Sequence, residues 1–146
     1  STVRDAGKLL RTRHYGMSSY MNGKGNSAAD WTVEKLIFRK QSSIQDPGPA
    51  KAFVFIDNHP GNTAGGSFSV VQPGSSAPWQ WNHFPGARHQ NGANLSFADG
   101  HAEHWRWKEE RSLYLEKNKT WGGSGDVPPG DRDLSRLQEC IPHERP

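Results

Sequence analysis

An Asp-Gly pair at positions 99 and 100 is preceded by Asn94-Leu95-Ser96-Phe97-Ala98 and followed by His101-Ala102-Glu103-His104-Trp105. No other feature constrains the fold as strongly. Gly and Asp tolerate the positive φ angles of a tight two-residue turn, and the flanking runs have strand character, so the segment reads as a β-hairpin. With a two-residue turn, Phe97 is expected to face Ala102 and Leu95 to face His104.

The rest of the chain agrees with a β-leaning, loop-rich fold. Sixteen glycines and ten prolines among 146 residues, with only 32% hydrophobic residues, disfavour long helices. This length suits one ordinary domain. Ala52-Phe53-Val54-Phe55-Ile56 is almost continuously apolar, which predicts a strand buried on both faces, bounded by Asp46-Pro47-Gly48-Pro49 and Asp57-Asn58-His59-Pro60-Gly61. Trp31 to Arg39 also reads as a strand. Ser1 to Gly25 reads as extended or irregular, closing on a Gly- and Asn-rich turn. Residues 60–86 are rich in Gly, Ser and Pro and read as an elaborated surface loop with one short strand. A Gly- and Pro-rich linker over 121–130 leads to Asp131, an expected N-cap. Leu134, Leu137 and Ile141 follow at helical spacing until Pro142 stops them. The expectation is an α+β, β-rich fold: a small antiparallel sheet with long loops over 1–120, then a 121–146 linker and short C-terminal helix packed on or beside it.

Several function classes find no support. The net charge of +3 is spread along the chain, not massed in one run, so it does not point to nucleic acid. No apolar run approaches the roughly 18 to 20 residues that cross a bilayer. The single cysteine, Cys140, allows no internal disulfide and no Cys-only metal site; in a terminal helix it reads as a small buried apolar residue. There is no Gly-x-Ser-x-Gly, and Gly122-Gly123-Ser124-Gly125 lacks the strand and helix a phosphate-cradling loop needs.

Two constellations remain. His83, His89, His101 and His104 lie within 22 positions, with Asp99 and Glu103 among them. A metal-dependent enzyme would draw on His89, His101 and Asp99, and a hard cation such as calcium on oxygens of Asp57, Asp99 and Glu103. Against convergence, His101 and His104 point to opposite faces of a strand. Trp79 with Trp81, and Trp105 with Trp107, are i, i+2 pairs that put both rings on one strand face. Such pairs suit a carbohydrate- or protein-binding platform, or the sealing of a core poor in aliphatic residues.

The run Arg88-His89-Gln90-Asn91-Gly92-Ala93-Asn94-Leu95-Ser96-Phe97-Ala98-Asp99-Gly100-His101-Ala102-Glu103 resembles the signature of a bacterial family. That family comprises type II secretion pseudopilin-like proteins with a prepilin-type N-terminus, whose C-terminal region carries His, nine residues, then Asp-Gly. Arg13-His14-Tyr15-Gly16-Met17-Ser18-Ser19-Tyr20 is similar to the family's Tyr-x-Met-Asn segment, and Phe53-Val54-Phe55-Ile56-Asp57 to its strand ending in an acid. The likeness spans most of residues 11 to 107. It implies a pilin-like head on a long membrane-anchored N-terminal helix that this sequence lacks, so the chain is expected to be the head alone or a form adapted to a soluble role. It also implies a noncatalytic structural or assembly subunit at the cell envelope, periplasmic or extracellular. Its partners would be protein subunits of a secretion or pilus-like assembly, including further copies of itself, with no resident cofactor. His89 is expected to anchor its loop by hydrogen bonds, and Asp99 to cap backbone amides of the turn at Gly100.

Overall fold

The computed structural model describes residues 2–5, 8–11, 15–22, 36–60, 66–113 and 125–142. Two short strands near the start, β1 (Thr2–Asp5) and β2 (Lys8–Arg11), form an antiparallel ladder of their own. A five-stranded mixed sheet carries the rest: β3 (Tyr15–Ser18), β4 (Phe53–Asp57), β5 (Ser67–Phe68), β6 (Gly92–Phe97) and β7 (Ala102–Arg106). Their order across the sheet is β5-β3-β4-β6-β7. Only β3 with β5 is parallel; the other pairs are antiparallel. Besides a helical stretch over 110–113, helix α1 (Arg132–Gln138) follows the sheet among the described residues, so the fold is α+β with a small sheet and a short C-terminal helix.

One face of the sheet is core and the other is open. Phe53, Ile56, Phe68, Ala93, Leu95, Phe97 and Trp105 are buried, whereas Tyr15, Met17 and Phe55 lie on the outer side with exposures of 52%, 39% and 40%. Burial of β4 on both faces is therefore corrected. Its pairing slips between Phe53 and Phe55, so that Phe53 pairs with Phe97, Phe55 with Ser96 and Ile56 with Leu95. That bulge at Val54 puts two residues three apart on the same inner face, which mimics a continuously buried strand in the sequence.

The 60–86 stretch is more than surface loop. Phe68, Val70, Val71, Trp81 and Phe84 from it are all buried. Polar side chains stitch it down: the Ser19 and Ser69 hydroxyls meet at 2.7 Å, and Gln72 Nε2 donates to Tyr20 Oη at 3.0 Å and to the Pro142 carbonyl at 2.6 Å. From α1, Gln138 Nε2 donates to the Val71 and Pro78 carbonyls at 3.1 and 2.8 Å. Buried polar groups paired in this way hold irregular backbone inside a core that has few aliphatics.

Helix α1 forms as the sequence predicts. Asp131 accepts the Leu134 amide at 2.8 Å as N-cap. Seven residues are too few to be helical alone, so packing decides: Leu134, Leu137 and Ile141 are fully buried, each contributing about 1.5–3 kcal/mol. They belong to one hydrophobic cluster with Phe53, Leu95 and Trp105. Of the 121–130 linker, residues 125–127 run beside 79–81, with the Trp81 amide bonded to the Gly125 carbonyl and the Val127 amide to the Trp79 carbonyl, both at 2.9 Å. In the expected strand over Trp31 to Arg39, residues 31–35 lie outside the described set, and Phe38 makes only a single bridge, to Met21. Residues 23–26, 13–14 and 122–124 likewise lie outside it.

Candidate functional site

The His89-to-Gly100 segment is the β6/β7 hairpin with a corner at each end. At the far corner, the register pairs Ser96 with Ala102, Leu95 with Glu103 and Asn94 with His104, one residue away from the predicted match. The reason is a longer connection. The Phe97 amide donates to the His101 carbonyl at 2.9 Å and the Gly100 amide to the Phe97 carbonyl at 3.0 Å, which leaves Ala98, Asp99 and Gly100 as a three-residue turn. Gly100 sits at φ +96°, the left-handed position that closes such a loop.

Asp99 caps one backbone amide there, that of His101, at 3.1 Å. The same oxygen lies 2.5 Å from His101 Nδ1, while His101 Nε2 lies 3.2 Å from Glu103 Oε1. The imidazole also stacks on Phe97, with centroids 4.5 Å apart and planes 3° from parallel. The second Glu103 oxygen accepts Trp105 Nε1 at 2.5 Å and lies 3.7 Å from Arg136 of α1, whose guanidinium rests 3.6 Å above the Trp105 ring. These contacts hold both carboxyls below their ordinary pKa: His101 is the main cause at Asp99, and Trp105 then His101 at Glu103. The Asp99 and then Glu103 hydrogen bonds raise His101.

At the near corner, His89 and Gly92 bridge each other around Gln90 and Asn91, whose φ values of +50° and +60° make a tight left-handed turn. The Gly92 amide donates to the His89 carbonyl at 2.9 Å, and His104 Nε2 lies 2.7 Å from that same oxygen. A carbonyl only accepts, so His104 carries its proton on Nε2. The His89 ring turns the other way, to Asp57 at 3.4 Å; Asp57 also accepts the Asn94 amide at 2.8 Å. Strand rise sets the two corners about 20 Å apart, so His89 cannot join Asp99 and His101 around one metal ion or substrate. Among the described residues, no three His, Cys, Asp or Glu side chains are grouped to hold a metal ion. The calcium candidates are split in the same way, Asp57 at one corner, Asp99 and Glu103 at the other.

Three of the four paired tryptophans are core, and Trp31 and Trp121 lie outside the described residues. Trp81, Trp105 and Trp107 are 2%, 4% and 5% exposed, and Trp79 packs against the same cluster. A stacking platform for sugar needs open ring faces, and these three have none. Trp107 Nε1 donates to the Gly86 carbonyl at 2.8 Å and its ring meets Trp81 edge to face, centroids 6.4 Å apart. Cys140 is buried as expected, and burial pushes its thiol up to about 11.

Sequence reasoning missed four contributors. Arg136 joins the far corner from the C-terminal helix, and nothing local in the sequence marks it. Lys51 and Glu139 join Glu103, Trp105, Arg136 and Cys140 around a cleft of about 180 Å³. Asp133 gathers the Lys108 and Glu109 amides and the Ser112 hydroxyl at 2.8 to 3.0 Å, beside a wider cleft of about 720 Å³ between residues 108–111 and 128–131. No helix among the described residues is long and apolar enough to cross a membrane. Compared with protein-family models, curated proteins and solved structures, the chain has no significant match in any of the three.

Proposed function

We propose that this chain is a noncatalytic, β-rich head domain acting as a structural or assembly subunit of the pseudopilin-like kind, at the cell envelope or outside the cell, with other protein subunits and copies of itself as partners. The observation that carries the reading is the division of labour within the His-x9-Asp-Gly segment. His89 and Asp99 stand at opposite ends of one hairpin, and each engages backbone or a neighbouring carboxylate at its own corner. Residues spaced for bracing, and not for convergence, fit a scaffold better than a reaction centre.

The outer sheet face adds support. Tyr15, Met17 and Phe55 are exposed together, with Tyr15 and Phe55 edge to face at 5.7 Å. Clustered apolar exposure of this kind suits a protein that meets other proteins.

The test is in-cell cross-linking followed by fractionation, with detection by an antibody to this chain in cells that make it. Higher-order adducts in the envelope or sheared surface fraction are expected. A monomer confined to the cytosol overturns the reading.

A further inference from the structure

We propose that the far corner of the hairpin is a proton-dependent clasp: protonated His101 ties Asp99 and Glu103 together and keeps Cys140 buried beside its cleft, and loss of that proton slackens the corner. The argument starts from donors and acceptors. Both ring nitrogens of His101 face carboxylate oxygens, Asp99 at 2.5 Å and Glu103 at 3.2 Å. Ionised carboxylates only accept, and a neutral imidazole has a single N–H, so only the imidazolium satisfies both contacts. In the neutral ring one nitrogen lone pair is set against a carboxylate, which breaks the bridge on one side.

The bridge leads to the helix. Glu103 is the shared member, joined to His101 through one oxygen and to Trp105 and Arg136 through the other. Arg136 in turn lies on Trp105, and its carbonyl receives the Cys140 thiol at 3.4 Å. Among the described residues, the charged groups at this corner are Asp99 on the turn and, lining the cleft with Cys140, Lys51 on the segment before β4, Glu103 on β7, Arg136 of α1 and Glu139 just after it. Phe97 of β6 contributes only its ring, stacked on His101.

The sign of the pH dependence follows from linkage. His101 is raised in the folded chain, so its contribution is complete below the ordinary histidine value of about 6.5 and is lost as pH rises through the folded value. Asp99 and Glu103 are lowered, so theirs is complete above the ordinary carboxylate values and is lost as pH falls through the folded ones. The clasp therefore contributes in full only in a mildly acidic window, between ordinary carboxylate and ordinary histidine titration, and weakens as pH moves from there through the folded values.

Cys140 is the chain's only cysteine and reports on the cleft directly. Alkylation of the full chain by iodoacetamide, followed from pH 5.5 to 8 (roughly the span of histidine titration), climbs about tenfold per pH unit from thiolate formation alone. The wild type is expected to climb more steeply through the His101 titration, while His101→Gln and Asp99→Asn follow the plain thiolate slope. The excess must equal the factor by which closure raises the proton affinity of His101, read as its NMR midpoint in wild type against Asp99→Asn. A wild-type profile parallel to both variants, or a steep rise that survives in His101→Gln, overturns the clasp.

Discussion

The imidazole of His89 faces the carboxylate of Asp57, Nε2 to Oδ2 at 3.4 Å, on the strand beside its own hairpin and away from the Asp-Gly turn ten residues on. Two interactions meet at that carboxylate, and they differ in strength. The His89 pair is solvent-exposed on the histidine side, the geometry that contributes about 0–1 kcal/mol. The Asn94 amide bond to Asp57, at 2.8 Å, is a hydrogen bond to a charged acceptor and contributes about 1.5–3 kcal/mol. Asp57→Ala should therefore destabilise the fold more than His89→Ala in urea unfolding. Equal costs would mean that the histidine, and not the amide, is the main partner of Asp57.

Two glycines of the hairpin should respond to alanine for opposite reasons. At Gly100 a Cβ meets nothing within 4 Å among the described residues, and the cost is the positive φ of +96°, about 1–2 kcal/mol. At Gly92 a Cβ would stand 2.2 Å from the Trp105 carbonyl oxygen and 2.8 Å from His104 Nε2, so β6 and β7 cannot pair as they do. Gly92→Ala should cost upwards of about 3 kcal/mol. Thermal melting separates the two, and a Gly92→Ala protein that melts with wild type would show that the strands close differently.

Asp133 should behave as a buried polar hub. Its carboxylate takes two amides and the hydroxyl of Ser112, itself 2% exposed, so Asp133→Ala strands three donors at once. A loss of about 3 kcal/mol is expected, with amide exchange accelerating at Lys108 and Glu109 before the sheet is affected. Uniform acceleration across the sheet would place Asp133 in the global fold and not in this local tie.

The hairpin was legible because Asp99-Gly100 is a local signal, and α1 because Asp131, Leu134, Leu137 and Ile141 obey helical spacing. Turn length was not, since two- and three-residue loops use the same residues; the extra residue shows only in the Phe97-to-His101 bond. The bulge at Val54 hid the open outer face of β4, because it breaks the period-two pattern that distinguishes one buried face from two. Pairings that depend on distant chain left no trace at all. Met17 finds Ser67, His89 finds Asp57 and Trp105 finds Arg136 only in three dimensions. The tryptophan pairs were visible as pairs, yet whether a ring is covered depends on what folds over it.

Trp81 and Trp107 offer a controlled comparison of that covering. Both indoles are almost fully buried in one cluster and touch edge to face, so replacing either by Phe removes similar volume. Their polar atoms differ. Trp107 Nε1 donates to the Gly86 carbonyl at 2.8 Å, whereas Trp81 Nε1 is buried with no hydrogen-bond partner among the described residues. Trp107→Phe loses a hydrogen bond and strands an acceptor, while Trp81→Phe removes a donor that was already unsatisfied. Trp107→Phe should therefore be the more destabilising by about 1–2 kcal/mol in chemical denaturation. The reverse order would mean that the Trp81 indole has a partner in solution, such as a trapped water, and its N–H should then resist exchange in the NMR spectrum.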